Sequence, residues 1–248
     1  MLRAVYAQIV FVLATLVLGG LAFVGSLLRP GSDICMRMGR AWSRAMLSAM
    51  GARVTYEGVE HSRAVRPCVY IANHQSNVDI WVLIRVLPLH TRFVAKQSLF
   101  RIPVMGWAMA AAGFIPIDRR NRGRAIESLR LAATRIRQGR SVVLFPEGTR
   151  SKDGRLLPFK KGPFHLALEA GVPVVPVAIH GSGRVLPSRA IRPRPGPVLV
   201  RFLEPVPVAA YEPRNHAGLL EEVRRRIEEE LGEAPAANPR NGAADSVS

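Results

Sequence analysis

The sequence predicts an α/β protein with a mixed, mostly parallel sheet flanked by helices, preceded by an N-terminal membrane-associated helical segment. Two observations predict this class. From about residue 52 onward, short apolar runs alternate with stretches of helical periodicity, a pattern typical of layered α/β domains. Before that point, residues 4–28 contain no charged side chain. Because about 20 apolar residues cross the hydrocarbon core of a bilayer, this stretch is long enough to do so.

Residues 4–28 are interpreted as a retained membrane segment. A cleaved signal peptide has a shorter apolar core with small residues at its cleavage site, whereas Arg29, Pro30 and Gly31 follow directly here. A full span of the bilayer and a re-entrant helical pair both fit this pattern. The arginines after the segment favour a location at the inner cell membrane, with the main domain on the cytoplasmic side.

The next segment, residues 34–50, is predicted to form an amphipathic helix. Arg37, Arg40 and Arg44 share one face of this helix, and apolar residues follow another face. Such a helix suits the headgroup layer of a membrane, with its arginines toward lipid phosphates. The alternative is a core helix of the soluble domain with a solvated basic face. The apolar segment that precedes the helix favours the membrane interface.

The chain is predicted to have three parts. Residues 1–50 form the membrane segment and the interfacial helix, residues 51–231 form the α/β domain, and residues 232–248, with little apolar content, form a disordered tail. Strands are expected at residues 68–72, 92–95, 114–117, 141–145, 172–179 and 197–202. Helices are expected from Asn77, a suitable N-cap, to Pro88, from residue 123 to 138, and along the apolar stripe Leu220, Val223, Ile227 and Leu231.

The charge of the chain indicates an anionic partner. There are 35 Lys and Arg residues against 18 Asp and Glu, which leaves a formal net charge of +17. Phosphate-bearing substrates, acidic lipid headgroups and nucleic acid all fit such an excess. However, the basic stretch 118–140 carries its arginines on a helix with an apolar stripe and without aromatic residues for base stacking. No nucleic-acid partner is therefore expected.

Metal and disulfide chemistry are not expected either. The two cysteines, Cys35 and Cys68, are far apart and form no C-x-x-C motif. The six histidines are scattered, and no H-E-x-x-H motif occurs. The sequence therefore predicts no metal site, and its cysteine content fits a reducing cytoplasmic setting.

A candidate catalytic pair lies in "NHQSNVD", residues 73–79. Inside one helix, the spacing of His74 and Asp79 would place their side chains about 140° apart. A turn between a strand and a helix removes this problem, because His74 can fold back over the first helical turn. Asp79 can then accept a hydrogen bond from one ring nitrogen and leave the other free to take a proton, as in a general-base pair. An isolated pair of this kind is more often structural.

Other polar residues follow neighbouring predicted strands. "AKQSLF", "GFIPIDR" and "LFPEGTRS" all come at or just after strand ends, where α/β folds place ligands. The guanidinium of Arg150 suits phosphate, and Gly148 allows close approach of the backbone. Glu147 is expected either to hold Arg150 or to accept a substrate hydroxyl. The candidate binding residues are Lys96, Arg119, Glu147, Gly148, Thr149 and Arg150.

Together with "GVPVVPVAI", these motifs resemble those of the glycerolipid acyltransferase H-x4-D family, specifically the bacterial 1-acyl-glycerol-3-phosphate acyltransferases, over about residues 65–185. The resemblance implies that His74 is the general base on an acceptor hydroxyl and that Asp79 orients it. It also implies that residues 147–150 are the E-G-T-R acceptor-binding motif, that Arg119 ends the second motif, and that Lys96 contacts phosphate. Pro116 departs from the pattern, because another apolar residue is expected there.

The resemblance implies transfer of a fatty acyl group from acyl-CoA or acyl carrier protein to the 2-hydroxyl of lysophosphatidate, giving phosphatidate. No cofactor or metal is implied, the partners are these substrates and membrane lipids, and no oligomeric state is predicted. Backbone N–H groups near Asn77 and Val78 are the expected oxyanion donors. Ser76 is not expected to be a nucleophile, because no G-x-S-x-G motif occurs.

Two alternatives stay open at this point. The same reaction could use another lysolipid acceptor, such as a lyso-ornithine lipid, because the basic residues indicate an anionic group but do not specify which one. A noncatalytic, basic membrane-binding scaffold would also fit the charge and the apolar N-terminus. This second alternative predicts that replacing His74 by alanine leaves function intact.

Overall fold

A seven-stranded sheet forms the centre of the computed structural model, which describes residues 2–29, 33–211 and 216–232. The strand order across the sheet is β1-β7-β6-β2-β5-β3-β4. Neighbouring strands are parallel except for the antiparallel pair β6–β7. The predicted mixed, mostly parallel sheet is therefore confirmed. In chain order the strands are β1 (Ala52–Glu57), β2 (Val69–Ala72), β3 (Arg92–Lys96), β4 (Ile115–Ile117), β5 (Val142–Leu144), β6 (Val174–His180) and β7 (Gly196–Phe202).

Helices cover both faces of this sheet. The α-helices in the described part of the chain are α1 (Leu2–Leu28), α2 (Ile34–Met50), α3 (His61–Ala64), α4 (Val78–Val86), α5 (Met105–Ala111), α6 (Arg122–Arg137), α7 (Gly162–Ala170), α8 (Ser182–Val185) and α9 (His216–Gly232). Short 3₁₀ helices lie at Gln97–Arg101 and Val208–Ala210. The predicted helices near residues 77–88, 123–138 and 220–231 correspond to α4, α6 and α9.

Strand β2 divides the hydrophobic core into two layers. All of its residues are buried, as expected for a central strand of a parallel sheet. Successive side chains of a strand point to opposite faces. Tyr70 and Ala72 therefore pack in one layer with α2 and α4, while Val69 and Ile71 pack in the other with α6, α7 and α9.

The two strands at the edges of the sheet tolerate residues that a central strand does not favour. Strand β1, which was not predicted, pairs only with β7 in the described sheet and alternates between partly buried and exposed residues. Its polar residues Arg53 and Thr55 interrupt the apolar run. Strand β4 forms despite Pro116, because it lies at the other edge, where a missing backbone N–H is tolerated.

Pro176 lies inside β6, although proline is usually confined to edge strands or bulges because it lacks a backbone N–H. Strand β6 lies between β7 and β2, and Pro176 is paired within it with Ile71. The Pro176 carbonyl accepts the N–H of Leu203 at 3.0 Å, so the side of the residue that lacks an N–H faces β7. The β7 register begins only at Val177. The backbone N–H that proline lacks would thus lie beyond the paired part of β7. For this reason β6 tolerates Pro176.

Helix α1 packs on α2 and α5 and leaves most of its apolar side chains exposed. By length and composition it can cross a membrane, since its most apolar window has a mean hydropathy of 2.4. On α2, Trp42 packs between Phe11 and Trp81, with ring centroids 6.2 and 6.0 Å away. Neighbouring helices therefore cover this part of the apolar face of α2. The boundaries at residues 50 and 231 stay predictions, and the predicted tail lies outside the described residues from residue 233 onward.

Candidate active site

The candidate residues meet at one edge of the sheet. His74 follows β2, Glu147 follows β5, Arg119 follows β4, and Lys96 ends β3. These strands run parallel to one another within the sheet, so their carboxyl ends share an edge. The structure therefore brings together the motifs that are separate in the sequence.

His74 and Asp79 form a direct contact. His74 Nδ1 lies 2.8 Å from Asp79 Oδ2, and the two side chains are 7% and 0% exposed. The same carboxylate oxygen accepts the backbone N–H groups of Gln75 at 2.7 Å and Ser76 at 2.8 Å. When Nδ1 carries the proton toward Asp79, Nε2 is left as the proton acceptor. The geometry is thus that of a base held in one orientation by a carboxylate.

The turn between β2 and α4 is stabilised differently from the prediction. Asn77 occupies the N-cap position of α4, but its side chain makes no capping hydrogen bond. Instead, Ser76 Oγ accepts the Val78 N–H at 3.1 Å and donates to the Leu186 carbonyl at 2.7 Å. The Val78 N–H is therefore engaged, and its expected role as an oxyanion donor is not supported by this geometry.

The motif after β5 fixes His74 from the other side. The imidazole stacks on the ring of Phe145, with centroids 4.0 Å apart and planes inclined by 19°. The Ser151 N–H donates to the His74 carbonyl at 2.8 Å. Ring stacking and a backbone hydrogen bond therefore hold the histidine in place, in addition to its contact with Asp79.

Glu147 holds two backbone segments together. Its carboxylate is 4% exposed. Oε1 accepts the His74 N–H at 2.6 Å and Oε2 accepts the Leu157 N–H at 3.0 Å. Burial raises the pKa of Glu147 to about 7, against the lowering effect of these hydrogen bonds. The expectation that Glu147 holds Arg150 is wrong, because Arg150 donates to Asn77 Oδ1 instead.

Arg119 and Arg150 lie close enough to influence each other. Arg119 Nη1 donates to the Gly148 carbonyl at 2.6 Å, and Arg150 Nη1 donates to Asn77 Oδ1 at 2.9 Å. The pKa of Arg119 is lowered by burial and further by the positive charge of Arg150. A guanidinium has five N–H donors. Each arginine therefore keeps donors for an anionic ligand beside these protein contacts.

The remaining predicted residues differ in their surroundings. Gly148 has a φ of +70°, a conformation that favours glycine, and a Cβ on it would lie 2.7 Å from Lys160 Cε. Thr149 and Lys96 are exposed. Among the described residues, no hydrogen bond or ion pair involves the Lys96 ammonium group. Lys160 lies outside the sequence motifs from which the binding residues were predicted.

An apolar cavity of about 310 Å³ lies beside this edge of the sheet. It is lined by helices α1, α2, α4 and α5 and by the 3₁₀ turn at 97–101. Asn77, which bonds Arg150, is also part of its lining. Sequence motifs do not reveal this cavity, because its walls come from distant segments. Lining residues include Phe11, Leu18, Met38, Trp42, Ile80, Trp81, Ile84, Ala108 and Met109.

Comparison with known proteins identifies the family. The family model described as Acyltransferase matches residues 53–180, which is more than half of the chain. The chain belongs to the Acyltransferase family. The matched range begins in β1 and ends with β6, so it contains His74, Asp79 and every predicted binding residue.

The names of relatives of this chain agree with the resemblance seen in its motifs. The 1-acyl-sn-glycerol-3-phosphate acyltransferase of Saccharomyces cerevisiae is 34% identical over 244 residues, covering 92% of this chain and 79% of the yeast protein. The chloroplastic 1-acyl-sn-glycerol-3-phosphate acyltransferase BAT2 of Brassica napus is 47% identical over 122 residues. That match covers 49% of this chain and 35% of the Brassica protein.

A solved structure extends the similarity to the whole fold. The crystal structure of the 1-acyl-sn-glycerophosphate (LPA) acyltransferase PlsC from Thermotoga maritima matches with a TM-score of 0.84 at 27% identity. The match covers 96% of this chain and 97% of that one. The predicted family and fold class are therefore confirmed, whereas the roles of the individual site residues stay predictions. In the described part of the chain, no group of three or more His, Cys, Asp or Glu residues is arranged to hold a metal.

Proposed function

We propose that this chain is a 1-acyl-sn-glycerol-3-phosphate acyltransferase, which moves an acyl group from acyl-CoA or acyl carrier protein to the 2-hydroxyl of lysophosphatidate and forms phosphatidate. The observation that carries the proposal is the 2.8 Å contact between His74 Nδ1 and Asp79 Oδ2, beside two arginines and an apolar cavity. The names of the yeast and Thermotoga maritima relatives support the same reaction.

His74 is the general base of the proposed reaction. Its Nε2 takes the proton of the acceptor hydroxyl while the hydroxyl oxygen bonds to the thioester carbonyl carbon. The carbon–sulfur bond then breaks, and the departing thiolate takes the proton from the imidazolium. Asp79 stabilises that imidazolium through the Nδ1 contact. A positioned general base contributes about 10²–10⁴-fold to a rate.

A covalent acyl-enzyme is not part of the proposal. The only hydroxyl inside the "NHQSNVD" motif belongs to Ser76, which is fully buried. Its Oγ already donates to the Leu186 carbonyl and accepts the Val78 N–H. Ser76 therefore supports the turn, and direct attack by the acceptor hydroxyl accounts for the arrangement with fewer steps.

The arginines and the cavity account for the two halves of a lysophospholipid reaction. In the proposed complex, Arg119 and Arg150 bind the acceptor phosphate through the N–H groups that make no contact with the protein. Lys96 lies at the same edge of the sheet. The cavity receives an acyl chain, because ligand pockets of this kind are mostly apolar and start at about 300 Å³. Asn77 lies between the two regions.

The proposed enzyme works at the inner cell membrane with its catalytic domain on the cytoplasmic side. The exposed apolar surface of α1 supports membrane association, since no other element of the described chain covers it. Because α1 also lines the cavity, an acyl chain would enter from lipid without crossing water.

Acyl transfer by the purified, membrane-reconstituted protein tests the proposal. Labelled acyl-CoA and acyl carrier protein are each offered with lysophosphatidate, a lyso-ornithine lipid and other lysolipids, to the wild type and to His74→Ala and Asp79→Ala. We expect acylated lysophosphatidate from the wild type and strongly reduced product from both variants. Preferred acylation of the lyso-ornithine lipid would change the acceptor. No transfer to any acceptor, with vesicle binding retained, would support the scaffold alternative.

A further inference from the structure

We infer that Lys160 is an additional acceptor-binding residue, whose ammonium group contacts the phosphate of the lysolipid. This inference rests on the proposed function and extends it to a residue outside the H-x4-D and E-G-T-R motifs. Three features carry it: the position of Lys160 over Gly148, the cations around it, and the different surroundings of its neighbour Lys161.

The backbone of Lys160 is tied to the E-G-T-R loop. Its N–H donates to the Pro146 carbonyl at 2.9 Å, directly before Glu147. From there the side chain passes over Gly148, since a Cβ on that glycine would lie 2.7 Å from Lys160 Cε and 2.9 Å from Nζ. Any side chain at position 148 would therefore compete with the lysine. Gly148 thus gives the Lys160 ammonium group access to the loop.

The Lys160 ammonium group and the Arg119 guanidinium both lie at Gly148, and Arg150 belongs to the same loop. Arg119 donates to the Gly148 carbonyl, and the charge of Arg150 lowers the pKa of Arg119. Among the described residues, Glu147 forms no ion pair with these cations, and its two oxygens accept the backbone N–H groups of His74 and Leu157. A phosphate group bound at this loop would be attracted by all three cations.

The ammonium group of Lys160 is available for such a ligand. It is on an exposed side chain, and within the described ranges no carboxylate or carbonyl oxygen forms a hydrogen bond or ion pair with it. Lysine binds phosphate as a point charge with three donors, without the fixed fork of arginine. Lys160 therefore complements Arg119 and Arg150 and does not duplicate their geometry.

Lys161 provides a natural comparison. It occupies the N-cap position of α7, where its carbonyl accepts the N–H groups of Phe164 and His165. Its charge acts on His165, whose pKa is lowered by burial, by His216 and by Lys161. The two adjacent lysines therefore have equal charge and similar exposure, but only Lys160 extends over Gly148.

Steady-state kinetics on reconstituted protein distinguish the two lysines. Lys160→Met keeps the aliphatic stem over Gly148 and removes the charge, Lys160→Arg keeps a charge, and Lys161→Met is the matched control. We expect Lys160→Met to raise the KM for lysophosphatidate about tenfold or more, with a smaller change in kcat. Lys160→Arg should recover part of this loss, and Lys161→Met should stay within about twofold of wild type. With a monoacylglycerol acceptor, which lacks phosphate, Lys160→Met should not differ from Lys161→Met.

Equilibrium binding of lysophosphatidate without an acyl donor separates this inference from the proposed function. Weaker binding by Lys160→Met than by Lys161→Met supports a phosphate contact, whether or not the wild type transfers an acyl group. A wild type that transfers no acyl group would overturn only the proposed reaction. Equal KM and equal binding for the two variants, with an active wild type, would overturn the inference and leave the proposed reaction in place. Thermal unfolding of both variants checks that neither change acts through folding.

Discussion

Glu147 Oε1 accepts the backbone N–H of His74 at 2.6 Å, so the loop after β5 holds the backbone of the candidate base. The second oxygen holds the Leu157 N–H, on the far side of the same loop. A residue expected to bind the acceptor thus has a structural contact with the catalytic motif. Changes in the E-G-T-R loop should therefore affect both the stability of the site and the position of His74.

Replacing Glu147 with glutamine should reduce stability and activity together. The amide keeps the size of the side chain but has one oxygen, so one of the two backbone N–H groups faces an NH₂ donor. A buried donor left unsatisfied costs about 1–3 kcal/mol. We expect a lower unfolding free energy in urea and a lower kcat/KM. Glu169→Gln, on an exposed position of α7, should change neither quantity. Wild-type stability of Glu147→Gln would show that these hydrogen bonds contribute nothing measurable.

The pH dependence of unfolding should report the burial of Glu147. Its folded pKa of about 7 exceeds the ordinary value of 4.5. At pH values between 4.5 and about 7, the folded protein keeps a proton on Glu147 that the unfolded chain has released. The contribution of this group to folding stability is therefore fully present below pH 4.5. That contribution, about 1–3 kcal/mol, is lost as the pH rises through 7. Unfolding free energies measured from pH 5 to 8 should therefore fall less steeply in Glu147→Gln than in the wild type. Parallel curves would contradict the assignment.

The parts of the site that could be predicted from the sequence are those set by local signals, namely where each strand ends and each helix begins. His74 and Asp79 are close because a strand ends before one and a helix begins before the other, and both signals are local. The cations of the other motifs follow from the same rule, that parallel strands end at a common edge. These features needed no knowledge of which strands are neighbours.

Features that depend on tertiary contacts were not predictable in this way. Glu147 was expected to hold Arg150 or to accept a substrate hydroxyl, but the fold offers it two backbone N–H donors from other segments. Lys160 reaches Gly148 only because the chain returns to Pro146 after the loop. Strand β1 was missed because an edge strand needs little apolar sequence. On α9, Val223 and Ile227 are buried as predicted, whereas Leu219 is more deeply buried than Leu220, which packs only partly against the core.

The His74–Asp79 contact predicts large losses of activity on substitution. His74→Ala removes the proton acceptor, and Asp79→Asn replaces the acceptor of the Nδ1 proton with an amide that can favour the other tautomer. We expect kcat to fall about 10²–10⁴-fold in each variant, with a smaller change in KM. Single-turnover acyl transfer to lysophosphatidate measures this effect directly.

The controls for this pair separate chemistry from folding. His61→Ala, on the short helix α3, should retain activity. Asp79→Asn should also be less stable than the wild type, because the carboxylate accepts two backbone N–H groups besides the imidazole. His74→Ala should bind lysophosphatidate as the wild type does. A variant of His74 that retains full kcat would remove it from the proposed mechanism.

If the apolar cavity holds the transferred acyl chain, a larger side chain in its wall should change the acyl-chain preference. Ala108 lines the cavity from α5, and Ala110, on the same helix, is exposed. Ala108→Phe would occupy part of the 310 Å³ space, so long acyl chains should be transferred more slowly while short chains are affected less. Competition between short-chain and long-chain acyl-CoA in one reaction measures the ratio of kcat/KM values. Ala110→Phe adds the same ring outside the cavity and should leave the ratio unchanged. If both variants shift the ratio equally, the cavity does not hold the transferred chain, because only one of the two rings points into it.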